Sequence, residues 1–266
     1  MISNRVKYLI DFCIGDGHIH FTPGIKGGHY AYVMTHCYKQ RDYLRHKADI
    51  LESLGFTGHW SDSERALNGK MFKQSTYALH VDPDLSTAYK YLINKGRKAI
   101  DKNLLSVMDE RTLAYFYLDD GSPNKSNKSS SSPGNGFRYY YTYPIQKLSQ
   151  FRLYTYSFTL EEHRLLQSWF YEKFDIEAHL VTGTRDGLYL KISTLEDRNK
   201  FINLVKPYIP ECMKYKIDGT LSFFGIKPIK IEKKEIDTHG ERLSEETPTD
   251  DSEGDAIVQD VLPVGE

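Results

Sequence analysis

The chain has no apolar run long enough to cross a bilayer as a helix, and its beginning carries no signal-peptide pattern, so the sequence gives no reason to expect a membrane partner. Cysteine is scarce: Cys13, Cys37 and Cys212 are odd in number and widely spaced. They offer no disulfide framework and fit a reducing compartment. Zinc motifs are absent as well. His18 and His20 share one side of a possible strand and Cys37 lies downstream, but no CxxC or HExxH completes a site. The glycine-rich "GIKGG" does not match a phosphate-binding loop, which argues against nucleotide hydrolysis.

A surplus of positive charge is also missing from the total, which is -1 over 266 residues. Its distribution is more informative. From Asp237 onward there are ten acidic side chains and one basic one, leaving 34 basic and 26 acidic residues before that point. A body with a surplus of eight positive charges has the electrostatic footprint expected of a nucleic-acid binder. The terminal "ETPTDDSEGDAIVQD" has no regular apolar spacing and reads as a disordered acidic tail. It could solubilise the chain or shield basic surface. Against these scarcities stand 20 tyrosines and a hydrophobic content of 39%, enough for a folded core.

Two halves follow one grammar. Residues 5–14, "RVKYLIDFCI", read as a short helix ending at Gly15-Asp16-Gly17. A hairpin about Pro23, an amphipathic helix over 41–54, two strands around "TGHW" and "MFKQSTYALHV", and a helix over 84–95 follow. The second half opens with "ERTLAYFYLDDG", then "SPNKSNKSSSSPGNG", whose composition favours a loop. Strands are expected around "GFRYYYTY" and "FRLYTYSFT". Thr159 and Glu162 signal a helix start ahead of Leu165, Leu166, Trp169 and Phe170. "IEAHLVT" and "GLYLKIST" then suggest a hairpin around Asp186-Gly187, and "EDRNKFINLVKPYI" a closing helix.

Asp16 and Asp120 each follow an apolar helix and precede glycine. If the helices pair, both carboxylates reach one cavity, at the unfavourable end of two helix dipoles. Such acids repel unless a divalent cation or captured protons relieve the charge, and oxygen-rich sites suit Mg²⁺. Phosphodiester hydrolysis is one outcome of that arrangement; two ordinary Asp-Gly helix exits are the other.

"LIDFCIGDG", residues 9–17, and "LAYFYLDDG", residues 113–121, resemble the paired signatures of LAGLIDADG homing endonucleases, and the layout is similar to the single-chain enzymes encoded in group I introns. The resemblance runs over roughly residues 5–223. It implies an α+β fold of pseudo-symmetric tandem αββαββ units with two antiparallel DNA-binding sheets. It also implies units over 1–105 and 106–236, with 237–266 as the tail. Within the family pattern the metal-binding acids fall on Asp16 and Asp120, while Asp11 lies too early and Asp119 immediately precedes the second acid. "FINLVKPYIPECMKYKI" places the second basic catalytic residue at Lys216. Its counterpart is Lys98, with Arg97 as the alternative. Tyr156 stands near a position often held by Gln, where it could line a solvent pocket or bond within a strand. Mg²⁺, with Mn²⁺ as a substitute, is the implied cofactor. Double-stranded DNA with a long recognition site is the implied partner, and intron RNA a further one.

Lys26, Lys70, Lys73, Arg138, Lys147, Arg152, Arg185 and Lys191 occur in or beside expected strands, where they could meet base edges, phosphates or solvent. Tyr139 to Tyr141 and Tyr143 fit sheet packing or sugar contact. A cleavage-inactive DNA-binding protein, an intron RNA maturase, and a structural protein whose Asp-Gly exits only pack helices remain alternatives. The expected setting is a reducing intracellular one, whether an organelle or a bacterial or phage-infected cytoplasm. Because both motifs lie in one chain, a monomer is expected, and sizing of the free and DNA-bound protein checks it. Deleting residues 237–266 removes a net nine negative charges. This should strengthen weak DNA binding at low salt while leaving specific cutting intact. Unchanged non-specific affinity in a salt titration would count against the shielding role.

Overall fold

The protein, seen in a computed structural model, is described over residues 2–24, 28–67, 69–126, 131–134, 137–140, 147–183 and 187–217. Contacts divide the chain into a larger unit, residues 1–129 with 141–229, and a smaller one, residues 130–140 with 230–266. The expected acidic tail over 237–266 lies outside the described residues.

The larger unit begins with α1 (Asn4–Cys13), whose N-terminus is capped by Ser3 accepting from the Val6 amide. Next come β1 (His18–Thr22), β2 (His29–Cys37), α2 (Arg41–Ser53), β3 (Gly58–Leu67), β4 (Lys70–Leu79) and α3 (Pro83–Leu92). A small hairpin of β5 (Ile93–Asn94) and β6 (Arg97–Lys98) and a one-turn α4 (Lys102–Leu105) lead into α5 (Glu110–Asp120). The second series is β7 (Gly121–Ser126), then β8 (Ser131–Gly134) and β9 (Phe137–Tyr140), which form the antiparallel hairpin of the smaller unit. Back in the larger unit are β10 (Lys147–Tyr154), α6 (Leu160–Phe174), β11 (His179–Thr182), β12 (Leu188–Ile192) and α7 (Leu195–Val205). The strand expected around "GFRYYYTY" falls on β9, which among the described residues pairs with β8 and not with β10; elsewhere the expected order holds. The loop expected over 122–136 does not: polar "GSPNKS" pairs with β10 along a ladder from Lys147↔Ser126 to Leu153↔Gly121. A long neighbouring strand recruits a segment whose own composition carries no strand signal.

The two four-stranded sheets have orders β1-β2-β4-β3 and β11-β12-β10-β7, the same arrangement read from opposite ends. Register makes the repeat quantitative. His18 pairs with Val33 in one sheet and Ser122 with Arg152 in the other, so the positions that match Asp16 with Asp120 also match Val33 with Arg152. The same spacing carries on through the following helices, which start at Arg41 and Leu160.

Helices α1 and α5 are buried almost all round. Leu9, Ile10, Phe12 and Cys13 are fully buried, as is the run from Leu113 to Leu118 apart from traces at two rings. That is why both signatures are apolar over most of their surface, with buried Asp11 the exception in the first, a pattern that belongs to a core helix. Phe12 meets the edge of Tyr115 at a centroid distance of 4.6 Å, and each sheet's apolar side, including Tyr32, Met34 and Tyr77 in one and Phe151, Leu190 and Ile192 in the other, closes the core. Each such side chain contributes about 1.5–3 kcal/mol.

The entrance to the helix seam is polar. Asp11, fully buried, accepts from Arg111 at 2.6 Å, from Thr112 at 2.6 Å and from Lys7. Lys7 also donates to Asp109, at 2.8 Å, whose carboxylate caps α5. Asp11 therefore joins the two halves structurally. Removing one member of a buried charge set leaves the others uncompensated, so Asp11→Ala is expected to lower the unfolding free energy by about 3–5 kcal/mol. A urea titration checks this, and a loss below about 1 kcal/mol would contradict the buried-network account.

Candidate active site

The ends of α1 and α5 meet where the chain turns into β1 and β7. Asp16 lies in the turn after α1, and Asp120 is the last residue of α5. Their approach needs Gly15: a Cβ there would stand 2.4 Å from the Asp119 Cβ. A glycine just past the end of α1 and a carboxylate side chain in the last turn of α5 thus interlock at equivalent positions.

Three carboxylates gather here in unlike surroundings. Asp119 is fully enclosed and accepts at Oδ1 from Lys47, at 2.6 Å, and from the Tyr43 hydroxyl, at 2.9 Å. Its Oδ2 accepts from the Asp16 backbone amide at 3.1 Å. Burial works against its charge, but Lys47 and these hydrogen bonds outweigh it and hold the carboxyl below the usual range. Asp16 has no comparable counterion. Burial, then the neighbouring charge of Asp119, pushes it up to about 6. Asp120 is driven well above the ordinary carboxylate range by burial and by Asp16 and Asp119. Asp16, Asp119 and His36 present ligand atoms within 4.8 Å of one another, and His36 Nδ1 is 3.4 Å from Asp16 Oδ2. Burial and then Lys47 depress His36 to about 3, leaving it neutral.

Lysines close the site from both sides. Lys98, on β6, donates to the Gly15 carbonyl. Lys216, in a 3-10 helix at Glu211–Lys216, donates to the carbonyls of Leu118 at 2.5 Å and Gly121 at 2.8 Å, and lies 3.5 Å from that of Asp119. Gly15 and Asp119 are equivalent positions, so the lysines are equivalent too, each against an orphan carbonyl at a helix end. Burial lowers Lys216 to about 8 despite the three nearby acids. Arg97 points elsewhere and pairs with Glu162 at 3.1 Å.

All four residues expected at the centre are therefore brought together: Asp16, Asp120, Lys98 and Lys216. Asp119, His36, Lys47 and Tyr43 were not anticipated. The doublet Asp119-Asp120 was the available signal for the first, whereas the other three come from β2 and α2 and share no motif with either signature. Tyr156 stands apart, half exposed beside the Tyr154 ring at the open end of β10.

Among the expected DNA-facing residues, Arg152 and Lys191 are direct cross-strand partners on the side of the second sheet away from the core, with His179 opposite Lys191. Like charges placed opposite one another on a sheet suit an anionic ligand. Lys70 and Lys73 are exposed near the outer end of the β3–β4 hairpin, where Lys73 lies 3.5 Å from Glu64. Arg138 and Lys147 fall on β9 and β10, where only the backbone is described; Lys26 and Arg185 lie outside the described residues.

Two repeated αββαββ units, two open antiparallel sheets and acids at the paired helix ends define the architecture of a single-chain LAGLIDADG protein. The sequence pattern of the LAGLIDADG DNA endonuclease family matches residues 9–199, and the chain belongs to that family. DNA endonuclease I-ChuI of Chlamydomonas applanata is 24% identical over 77% of this chain and 91% of its own. The RecA protein of Mycolicibacterium flavescens is 23% identical over 81% of this chain, which spans only 46% of that relative. In structure, the chain is similar to the homing endonuclease I-WcaI bound to its DNA recognition sequence, with a TM-score of 0.66, 21% identity and coverage of 83% of this chain and 89% of the other.

The raised acids make stability depend on pH in a definite direction. A carboxyl whose folded pKa exceeds its unfolded value adds stability at low pH and loses it as pH rises through the folded value. With a chelator present, the Asp16 contribution should be lost as pH rises from about 4 through about 6, the value to which Asp16 is pushed, while His36, held neutral, makes the fold gain stability over the same window. Urea titrations across the window should show Asp16→Asn gaining stability relative to wild type as pH rises; a difference that does not change with pH would remove Asp16 as a contributor.

Proposed function

We propose that this protein is a site-specific endonuclease that hydrolyses both strands of DNA with a divalent cation. The observation that carries the reading is the meeting of Asp16 and Asp120, one from each half of a single chain, with Lys98 and Lys216 placed equivalently beside them. The donor set fits a hard cation: the carboxylates of Asp16 and Asp120 are raised by burial and then by their acidic neighbours, and a nearby Mg²⁺ would offset that cost of charge. Asp16 and Asp120 would hold it, and Mn²⁺ would substitute. Such a cation polarises phosphate, activates water and stabilises the departing 3′ oxygen.

The chain's own groups do the rest. Each acid serves one half of the centre, matching one DNA strand apiece. Lys98 and Lys216 place positive charge beside the two helix ends, where a phosphate entering the site would meet it. Lys216, near 8, can also exchange a proton with solvent close to neutrality. The outward row of Arg152, Lys191 and His179 offers contacts to phosphates or base edges of a duplex laid on the second sheet. A long target follows from two sheets reading two half-sites.

Target DNA selected from a randomised library provides the test. Asp16→Asn and Asp120→Asn keep the side-chain volume and remove a ligand charge, so binding should persist within about threefold while cleavage falls at least about 100-fold. Wild-type cutting rates in both folded variants at limiting Mg²⁺ would reject the assignment. Specific binding by wild type without cutting would favour a binding or RNA-processing role.

A further inference from the structure

The two halves differ most at the point where symmetry would be expected to be strictest. Asp119 occupies the position equivalent to Gly15, so a carboxylate faces a bare backbone across the helix crossing. The strand register carries the equivalence into the next helices, where Lys47 corresponds to Leu166 and Tyr43 to Glu162. Lys47 and Leu166 are both fully buried, but only Lys47 is charged, and it meets Asp119. Glu162 points away, to the Thr159 and Ile100 amides and Arg97. The set of Asp119, Lys47 and Tyr43 therefore has no counterpart on the other side.

We propose that Asp119, held by Lys47 and Tyr43, is a positioning residue that fixes the Asp16 turn through its backbone amide, and that it serves one of the two cleavage centres only. Three contacts carry this. Oδ1 is engaged by Lys47 and Tyr43, which orients the carboxylate; Oδ2 then faces the Asp16 N–H at 3.1 Å. His36, 3.3 Å from Lys47 Nζ and 3.4 Å from Asp16 Oδ2, packs the same group from β2. With Oδ1 held by two donors and Oδ2 turned to the Asp16 amide, Asp119 acts on the reaction through Asp16 and not as a ligand. Asp120 has no equivalent support, since a glycine stands where its own positioning carboxylate would be.

This rests on the endonuclease reading, and the test separates the two. Lys47→Met alone strands a buried carboxylate and is expected to fold poorly. Two double variants balance the charge: Lys47→Met with Asp119→Asn keeps an acceptor for the Asp16 amide, and Lys47→Met with Asp119→Ala removes it. Strand-resolved cleavage of the selected target should show the ratio of the two strand rates shifted at least about tenfold in the alanine variant, with nicked DNA accumulating, and restored to within about threefold in the asparagine variant. Amide hydrogen exchange at Asp16, measured without DNA, should rise in the alanine variant only. Equal slowing of both strands, an unchanged ratio, or unchanged Asp16 exchange in the alanine variant overturns the proposal. A wild type that cuts nothing while its Asp16 exchange responds as stated refutes the endonuclease reading and leaves the Asp119–Asp16 link standing.

Discussion

The close crossing of α1 and α5, in which the Asp119 Cβ fills the space that a side chain at Gly15 would take, is the constraint on which the centre depends. It requires helices that are apolar over most of their surface, so both signatures are largely buried and Asp11 is paired within the seam. It also forces the chain to leave each helix by a glycine, so the sheets begin immediately beyond the acids, at β1 and β7. Core packing and placement of the acids are therefore one structural requirement: whatever loosens the crossing moves the carboxylates apart.

Crowding three acids at that point creates an electrostatic debt that the protein settles unevenly. Asp119 is matched by Lys47 and hydrogen bonds, and remains charged. Asp16 and Asp120 are left raised, with two lysines turned partly toward helix-end carbonyls. A site tuned only for stability would have paired them or replaced them with apolar residues, which is often neutral or stabilising for buried ions. Leaving two buried carboxylates under-compensated weakens the fold at neutral pH, and under the proposed endonuclease reading a divalent cation would relieve them, the usual exchange of stability for function.

Much of this was legible in the sequence because it rests on local rules. The repeated apolar run ending in Asp-Gly marked α1 and α5, and the Thr159–Glu162 capping box marked α6. Lys98 and Lys216 came from the resemblance to the LAGLIDADG pattern and not from local rules. The remainder depends on tertiary partners. The β7 segment has turn-like composition and is a strand because β10 supplies a ladder. The outer part of β3, "SDSERAL", has no apolar alternation, yet pairs with β4 as far as Leu67↔Lys70. Lys47 resembles any lysine of an amphipathic helix until the fold buries it against Asp119. Arg97 and Lys98 could be told apart only when β5 and β6 turned one toward Glu162 and the other toward Gly15.

Cation binding at the joined helix ends tests this account most directly. The protein would be bound to its selected target carrying non-hydrolysable linkages at the scissile positions, and Mn²⁺ titrated by electron paramagnetic resonance. Wild type should bind the cation, and Asp16→Asn and Asp120→Asn should each weaken binding at least about tenfold while the DNA complex remains intact. Equal Mn²⁺ affinity in wild type and both variants would contradict a centre shared between the two halves.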